Sequence, residues 1–267
     1  MDVIICRDDD EVGAYAAAKV AKVAEAAQKV GKNVVIGVAT GSSPLATYTA
    51  LAALIQAGKL DLSQASAFAL DEYVGLPAGH PQSYREVIRR TVAEPLGLRP
   101  ERVHVPDGFA QDLERAARDY ETAIRDAGGV DVQILGVGSN GHIGFNEPTS
   151  SLSSRTRIKT LTAQTRNDNA RFFDSSELVP QHCLTQGLGT IMDARHCVLV
   201  ASGEGKADAI KAVVEGPVTA MVPGSVLQLH PKATVIVDQR AASKLELIDY
   251  YQHMYQNLPD WQRVVLA

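Results

Sequence analysis

The amino-acid sequence predicts an α/β fold: a doubly wound, mostly parallel sheet (modified Rossmann-like) with helices on both faces. Short apolar runs rich in Val, Ile and Ala alternate along the chain with segments of helical periodicity. These runs lack the in-and-out alternation of a half-solvated strand, so each is expected to be buried on both faces, as in parallel sheets. No repeat or low-complexity linker interrupts the 267 residues, and we expect residues 1–267 to form a single domain.

The predicted strands are apolar runs bounded by glycine, proline or polar residues. The segment 154–162 differs from the others because basic residues alternate with apolar or small ones, which indicates an exposed or edge strand. In chain order, strands are predicted at 2–7, 34–40, 65–73, 102–106, 130–138, 154–162, 196–202 and 233–238.

The predicted helices are amphipathic or alanine-rich segments with recognisable stop signals. Gly31 and Gly58 follow the first two helices as C-terminal caps, and Pro95 ends the third. In chain order, helices are predicted at 10–30, 45–57, 82–94, 109–127, 206–214 and 241–257.

Charge and cysteine content exclude several classes of protein. The formal net charge of −5 argues against a nucleic-acid-binding module, which would be basic. No apolar run reaches the roughly eighteen residues of a membrane span, and the acidic N-terminal stretch is unlike a secretory signal. Three cysteines without CxxC spacing predict a cytoplasmic protein with reduced thiols. Cys6 and Cys197 are expected in the core, whereas Cys183 has no assigned role.

The stretch 135–148, LGVGSNGHIGFNEP, is the first candidate for an active-site loop. It follows a predicted buried strand, and open α/β sheets bind ligands at the carboxyl ends of their strands. His142 lies between glycines and close to Glu147, a pairing that suits proton transfer near neutral pH. The alternative is a structural histidine whose ring nitrogens form hydrogen bonds with the backbone of a tight turn. HxH, HxxxH and HExxH spacings are absent, so no metal site is predicted.

Two further stretches follow predicted strands in the same way. In FALDEYVGLP, Asp71 and Glu72 end a buried run, where partial desolvation would favour proton abstraction; a capping or turn role is the alternative. Adjacent acids point to different sides, so only one of them is expected to face the site. In ATGSSPLATY, Ser43 is predicted as the N-cap of a helix and Pro44 as its first residue.

That helix N-terminus is a candidate anion site, although an ordinary capped turn would explain the stretch by itself. Arg171 and Lys206 lie on predicted loops, where each taken alone would be an ordinary surface charge. Together with the helix N-terminus they would form a phosphate-monoester site, since arginine can bind phosphate bidentately.

Taken together, the chain resembles the glucosamine-6-phosphate deaminase (glucosamine-6-phosphate isomerase) family. The resemblance rests on segments that run in the family's order, and LDEYVGLP followed by GHIGFNEP is highly specific. The segments are ATGSSP, LDEYVGLP, LGVGSNGHIGFNEP, SSLSSRTRIKTLT, NARFF, SGEGKADAI and VPGSVLQLHP. The resemblance implies conversion of glucosamine 6-phosphate and water to fructose 6-phosphate and ammonia by a hydrolase of amino-sugar catabolism, without cofactor or metal.

Roles carried over from the family fall on matching positions. Asp71 matches the proton acceptor for enolisation, His142 the acid/base for ring opening, and Glu147 its supporting carboxylate. Asn140 stands where some members have aspartate, which would leave His142 with one charged neighbour. The positions that match the sugar-phosphate site are Gly41, Ser42, Ser43, Arg171 and Lys206.

The resemblance also implies regulation and assembly. In allosteric members, N-acetylglucosamine 6-phosphate activates a homohexamer from a site between subunits. The positions that match this site are Ser150, Arg157, Lys159 and Thr160. A solvated basic edge strand would account for the same residues without any activator.

Two other functions compete with a deaminase. A 6-phosphogluconolactonase shares the fold and a related loop, but this chain has FNEP where that family has SLFP, and it keeps Asp71. A phosphosugar-sensing regulator would carry a DNA-binding segment, whereas the first strand is predicted to begin at residue 2.

Overall fold

The computed structural model describes residues 1–77, 79–173 and 179–259. Most of the predicted elements are present with ends shifted by a few residues. The strands are β1 (Asp2–Cys6), β2 (Val35–Val38), β3 (Ser66–Ala69), β4 (Asp71–Tyr73), β5 (Val103–His104), β6 (Val132–Leu135), β7 (Arg157–Thr160), β8 (His182–Thr185), β9 (Cys197–Ala201) and β10 (Ala233–Asp238). The helices are α1 (Asp9–Lys29), α2 (Leu45–Gln56), α3 (Tyr84–Ile88), α4 (Leu113–Asp126), α5 (Ala163–Asn169), α6 (Leu188–Met192), α7 (Ala207–Val214) and α8 (Ile248–Gln256).

A seven-stranded parallel sheet forms the centre of the fold, in the order β1-β10-β9-β6-β2-β3-β5. Neighbouring residues of each central strand pack on opposite faces: Ile36 lies in a core under α1 and α2, and Val35 in a second core under α4, α6 and α7. The predicted doubly wound α/β architecture is therefore confirmed. The strand order reverses between β2 and β6, and such a switch point opens a crevice at the carboxyl ends of the strands.

A second sheet of three antiparallel strands, β4-β8-β7, was not predicted. The predicted strand 65–73 breaks at Leu70, whose N–H still bonds to Val38 O, and Asp71 then begins pairing with β8. Strand β8 itself was missed, and Cys183 lies fully buried within it. Strand β7 is an edge strand in which half-buried and exposed residues alternate, as its basic pattern predicted.

Two helix predictions need correction. The last helix begins at Ile248 and not at 241, because residues 241–244 form a turn, at which the Asp238 carboxylate accepts from Ala241 N–H at 2.7 Å. The predicted helix 82–94 is α3 followed by one π-helical turn, Arg89–Ala93. The expected stop at Gly31 is confirmed by its φ of 71°.

Cys6 and Cys197 are buried core residues, as expected. Across the three described ranges, no helix combines the length with the hydropathy that a bilayer crossing needs.

Candidate active site

A cavity of about 340 Å³ lies at the switch point, over the carboxyl ends of β2, β3 and β6. The loop after β2, the start of β4, the loop after β6 and the segment around α5 line it from different sides. The cavity therefore collects the three stretches in which the sequence placed the chemistry, although they are far apart along the chain.

Close packing of glycines shapes the loop after β6. A Cβ atom at Gly138 would lie 2.1 Å from His142 Cε1, so only glycine leaves room for the imidazole. Gly144 has a φ of 55°, and a Cβ there would lie 3.6 Å from Asp71 Oδ2. The loop thus folds its histidine onto its own backbone and passes directly over the carboxyl of Asp71.

Asn140 connects Glu147 to His142. Its Nδ2 donates to Glu147 Oε2 at 2.9 Å, and because a carboxylate only accepts, this contact fixes the orientation of the amide. Asn140 Oδ1 then faces His142 Nδ1 at 2.6 Å, so Nδ1 must carry the ring proton. His142 Nε2 is left with its lone pair, and the imidazole lines the cavity as a proton acceptor.

Burial keeps His142 neutral. Desolvation lowers the pKa of the imidazole below its ordinary value, nearby Lys206 lowers it further, and Glu147 opposes both. The carboxyl of Glu147 is also desolvated, but hydrogen bonds from Thr165 and Asn140 bring its pKa below the usual range. At neutral pH the pair is therefore an imidazole base beside a carboxylate.

Asp71 lies 5% exposed on the cavity wall. Burial, together with the negative charge of Glu72, raises the pKa of its carboxyl to about 8. Glu72 points away, as expected for adjacent acids, and accepts hydrogen bonds from the N–H groups of Tyr73, Tyr84 and Arg85. Because Tyr84 and Arg85 begin α3, Glu72 takes the capping role that was the alternative interpretation of these two acids. Of the pair, only Asp71 faces the cavity.

The proposed phosphate-binding residues all line the cavity, and Lys206 lies close enough to Arg171 for their charges to interact: the five are Gly41, Ser42, Ser43, Arg171 and Lys206. Lys206 Nζ donates to Val137 O at 2.8 Å, which holds the ammonium group against the loop after β6. Two serines and two cations thus line one cavity, and this combination suits an anion.

The capping prediction for Ser43 and Pro44 is wrong. Helix α2 begins at Leu45 with Pro44 at the N-cap, and no side chain caps it. The turn closes on itself because Leu45 N–H donates to Ser42 O at 3.2 Å. The Ser43 side chain is therefore not used as a cap and lines the cavity.

A profile of the family described as glucosamine-6-phosphate isomerases/6-phosphogluconolactonase matches residues 7–236. The chain belongs to this family. Glucosamine-6-phosphate deaminase from Cutibacterium acnes is 61% identical over 252 residues, covering 94% of this chain and 95% of that protein. The deaminase from Mycolicibacterium smegmatis is 53% identical over 265 residues, covering 99% of this chain and 100% of that protein.

Solved structures agree with this assignment. One described as a monomeric glucosamine-6-phosphate deaminase has a TM-score of 0.88 and 38% identity, covering 91% of this chain and 100% of that one. A 6-phosphogluconolactonase from Trypanosoma cruzi has a TM-score of 0.72 but only 20% identity, covering 92% and 97% of the two chains, and shares the fold alone. Among family members, the similarity is therefore with deaminases.

The four positions matched to the family's activator site lie outside the cavity. Arg157, Lys159 and Thr160 are on β7, and Ser150 is on the loop that follows Glu147. Arg157 is half-buried and donates to Asn146 Oδ1 at 2.8 Å, so this position is connected to the active-site loop. Ser150 is 2% exposed, and its hydroxyl lacks a partner among the described residues.

Several cavity residues of this family member were not found from the sequence. Tyr84 and Tyr73 lie on the wall, with their hydroxyl oxygens 3.4 Å apart, and Thr165 donates to Glu147 Oε1. Asp168 also lines the cavity and accepts from Ser139 at 3.2 Å. Such hydroxyls and acids carry no local signal of function, because only the tertiary fold brings them to the site. The described residues hold no group of three or more His, Cys, Asp or Glu placed to bind a metal.

Proposed function

We propose that the protein converts glucosamine 6-phosphate and water to fructose 6-phosphate and ammonia. The observation that carries this proposal is the pairing, in one cavity, of a neutral imidazole of fixed tautomer with a buried carboxyl of raised pKa. Ring opening and enolisation need two proton-transfer groups of different character, and this pair supplies both. The 61% identity to a named deaminase supports the same reaction.

Ring opening is assigned to His142. Its Nε2 accepts the proton of the C1 hydroxyl and returns it to the ring oxygen as the bond between C1 and the ring oxygen breaks, leaving a C1 aldehyde. Glu147, acting through Asn140, holds the ring in place and stabilises the imidazolium that forms between the two transfers. No net charge remains on the enzyme after this step.

Enolisation is assigned to Asp71. A cationic C2 ammonium group beside the carboxyl would favour its ionised form, so substrate binding prepares the base. Asp71 takes the proton from C2 while the C1 oxygen gains a proton from the C2 ammonium group, which gives a neutral cis-enolamine. Asp71 then returns its proton to C1 on the same face, and the nitrogen at C2 becomes an iminium group. Water then replaces the nitrogen at C2, ammonia leaves, and the ketose phosphate remains. Because water is consumed, the net reaction is a hydrolytic deamination.

The cationic residues of the cavity are assigned to the phosphate. Gly41, Ser42 and Ser43 present a turn at the start of α2, and Lys206 and Arg171 supply positive charge. The phosphate is remote from C1 and C2, so its binding energy serves to hold the reacting carbons in register.

The decisive experiment measures ammonia and fructose 6-phosphate from purified protein supplied with glucosamine 6-phosphate. We expect the two products in equal amounts. Absence of turnover at saturating substrate, with hydrolysis of 6-phosphogluconolactone instead, would overturn the proposal.

We also propose that N-acetylglucosamine 6-phosphate activates the protein and that the chain assembles as a homohexamer. An activator site is supported by the Ser150 hydroxyl, which has no hydrogen-bond partner among the described residues, and by the contact from Arg157 to the active-site loop. The activator should lower the half-saturating substrate concentration, and Arg157→Ala should abolish that effect. Because one deaminase structure is described as monomeric, sedimentation of this chain tests assembly separately. An unchanged saturation curve with activator would reject regulation.

A further inference from the structure

Thr185 occupies the centre of the three-stranded sheet. It ends β8, and the sheet register places Asp71 of β4 directly opposite on one side and Arg157 of β7 on the other. Side chains of directly opposed residues share a face of the sheet, so Thr185 lies beside the carboxyl assigned as the base. The side chain is fully buried.

The Thr185 hydroxyl holds the loop that carries His142. Its Oγ1 accepts from Phe145 N–H at 3.1 Å and donates to Gln186 O at 3.2 Å. Asn146 Nδ2 donates to the same Gln186 oxygen at 2.8 Å, which gives the loop a second attachment to the end of β8. The end of one strand therefore fixes residues that lie between the two members of the histidine–carboxylate pair.

Thr185 and Asp71 also lie close to the same residue of the loop, Gly144. A Cβ atom at Gly144 would lie 3.1 Å from Thr185 Oγ1 and 3.6 Å from Asp71 Oδ2. The loop backbone is thus packed against both side chains at once. Any movement of Phe145 away from Thr185 changes the distance between this backbone and the carboxyl.

We propose that Thr185 is a positioning residue that sets the spacing between Asp71 and the loop bearing His142 and Glu147. This inference rests on the proposed function, in which the two groups act in turn on adjacent carbons of one substrate. Displacement of a reacting group by about 1 Å can cost a hundredfold in rate. The phosphate-binding residues belong to other segments. Lys206 touches this loop only at Val137, at its start, away from Phe145, so the loss should fall mainly on kcat.

The test replaces Thr185 with Val, which keeps the shape and removes the hydroxyl. We expect kcat for ammonia release to fall about tenfold, with KM changed less than about twofold. Thr185→Ser should recover most of kcat, whereas Thr185→Ala should not. These two smaller variants decide the matter if the Val variant does not fold, because they differ from each other only in the hydroxyl.

A matched control is Thr234→Val. Thr234 is also buried in a strand, and its hydroxyl contacts His196 Nε2 at 3.0 Å, far along the chain from the active-site loop. This variant should keep its kcat. The proposal is overturned if Thr185→Val keeps wild-type kcat, if Thr185→Ser is as impaired as Thr185→Ala, or if Thr234→Val loses the same activity.

Hydrogen exchange separates this inference from the proposed function. The Phe145 amide should exchange at least about tenfold faster in Thr185→Val than in the wild type, with no change in Thr234→Val, because its acceptor is gone. This readout needs no substrate. If the wild type releases no ammonia, the proposed function fails, and unchanged exchange at Phe145 would independently refute the role of Thr185.

Discussion

Replacing Asp71 with Asn should stabilise the folded protein, and the gain should grow as pH rises. Burial and the charge of Glu72 raise the pKa of Asp71 from 3.8 to about 8 in the folded state. A folded state with the higher pKa binds the proton more tightly than the unfolded chain does. The contribution of the Asp71 carboxyl to the free energy of unfolding is therefore fully present below the unfolded-state pKa of 3.8. It is lost as pH rises toward the folded-state pKa of about 8.

The size of the effect follows from this difference in pKa. The raised pKa of Asp71 destabilises the folded state by about 4 kcal/mol at pH 7 and by about 1.5 kcal/mol at pH 5, because the carboxyl ionises freely only in the unfolded chain. Asn does not titrate, so Asp71→Asn removes this destabilisation. The advantage of Asp71→Asn should therefore increase by about 2.5 kcal/mol between pH 5 and pH 7, an upper value because water in the cavity solvates the carboxylate.

Urea unfolding of both proteins at pH 5 and pH 7 measures this difference. Every other titrating group is shared, so its contribution cancels when the two proteins are compared at one pH. Asp126→Asn, at an exposed position at the end of α4, serves as the surface control for the substitution itself. A gain for Asp71→Asn that is the same at both pH values, or a loss at pH 7, would refute the reasoning.

Three further predictions concern the rest of the site. Glu147→Gln removes a charge that raises the pKa of His142, so an NMR titration of the imidazole should give a lower pKa than in the wild type, with kcat reduced; a pKa that moves up would contradict the assignment. Gly138→Ala should lower kcat more than about a hundredfold while circular dichroism stays native, since its Cβ would collide with the imidazole; near-normal turnover would contradict this. Lys206→Ala should raise KM about tenfold or more and weaken inhibition by inorganic phosphate, and an unchanged KM would remove Lys206 from the phosphate site.

The parallel sheet was predictable because its central strands are continuous apolar runs, as at Val35–Val38 and Ala233–Asp238. Strand β8 was not, because its buried positions include Cys183 and Thr185 within a polar stretch that shows no apolar alternation. The break at Leu70 was also invisible. It depends on the partner strand that draws Asp71 into the second sheet.

The candidate site was predictable where polar residues follow a buried strand, as at Asp71 and His142. Their roles came from the family resemblance. The details that decide the chemistry came only from the fold, because the tautomer of His142 depends on the amide orientation of Asn140, which Glu147 sets. Thr165 illustrates the same limit: it contacts Glu147 from a helix that begins sixteen residues further along the chain (147 to 163).

The central claim is that Asp71 removes the C2 proton after His142 has opened the ring. Incubating glucosamine 6-phosphate with the protein in D2O, and following the C2 hydrogen by NMR, tests it most directly. Wild-type protein should exchange the C2 hydrogen, and Asp71→Asn should abolish the exchange while calorimetry still detects substrate binding. Exchange that survives in Asp71→Asn would show that another group is the base.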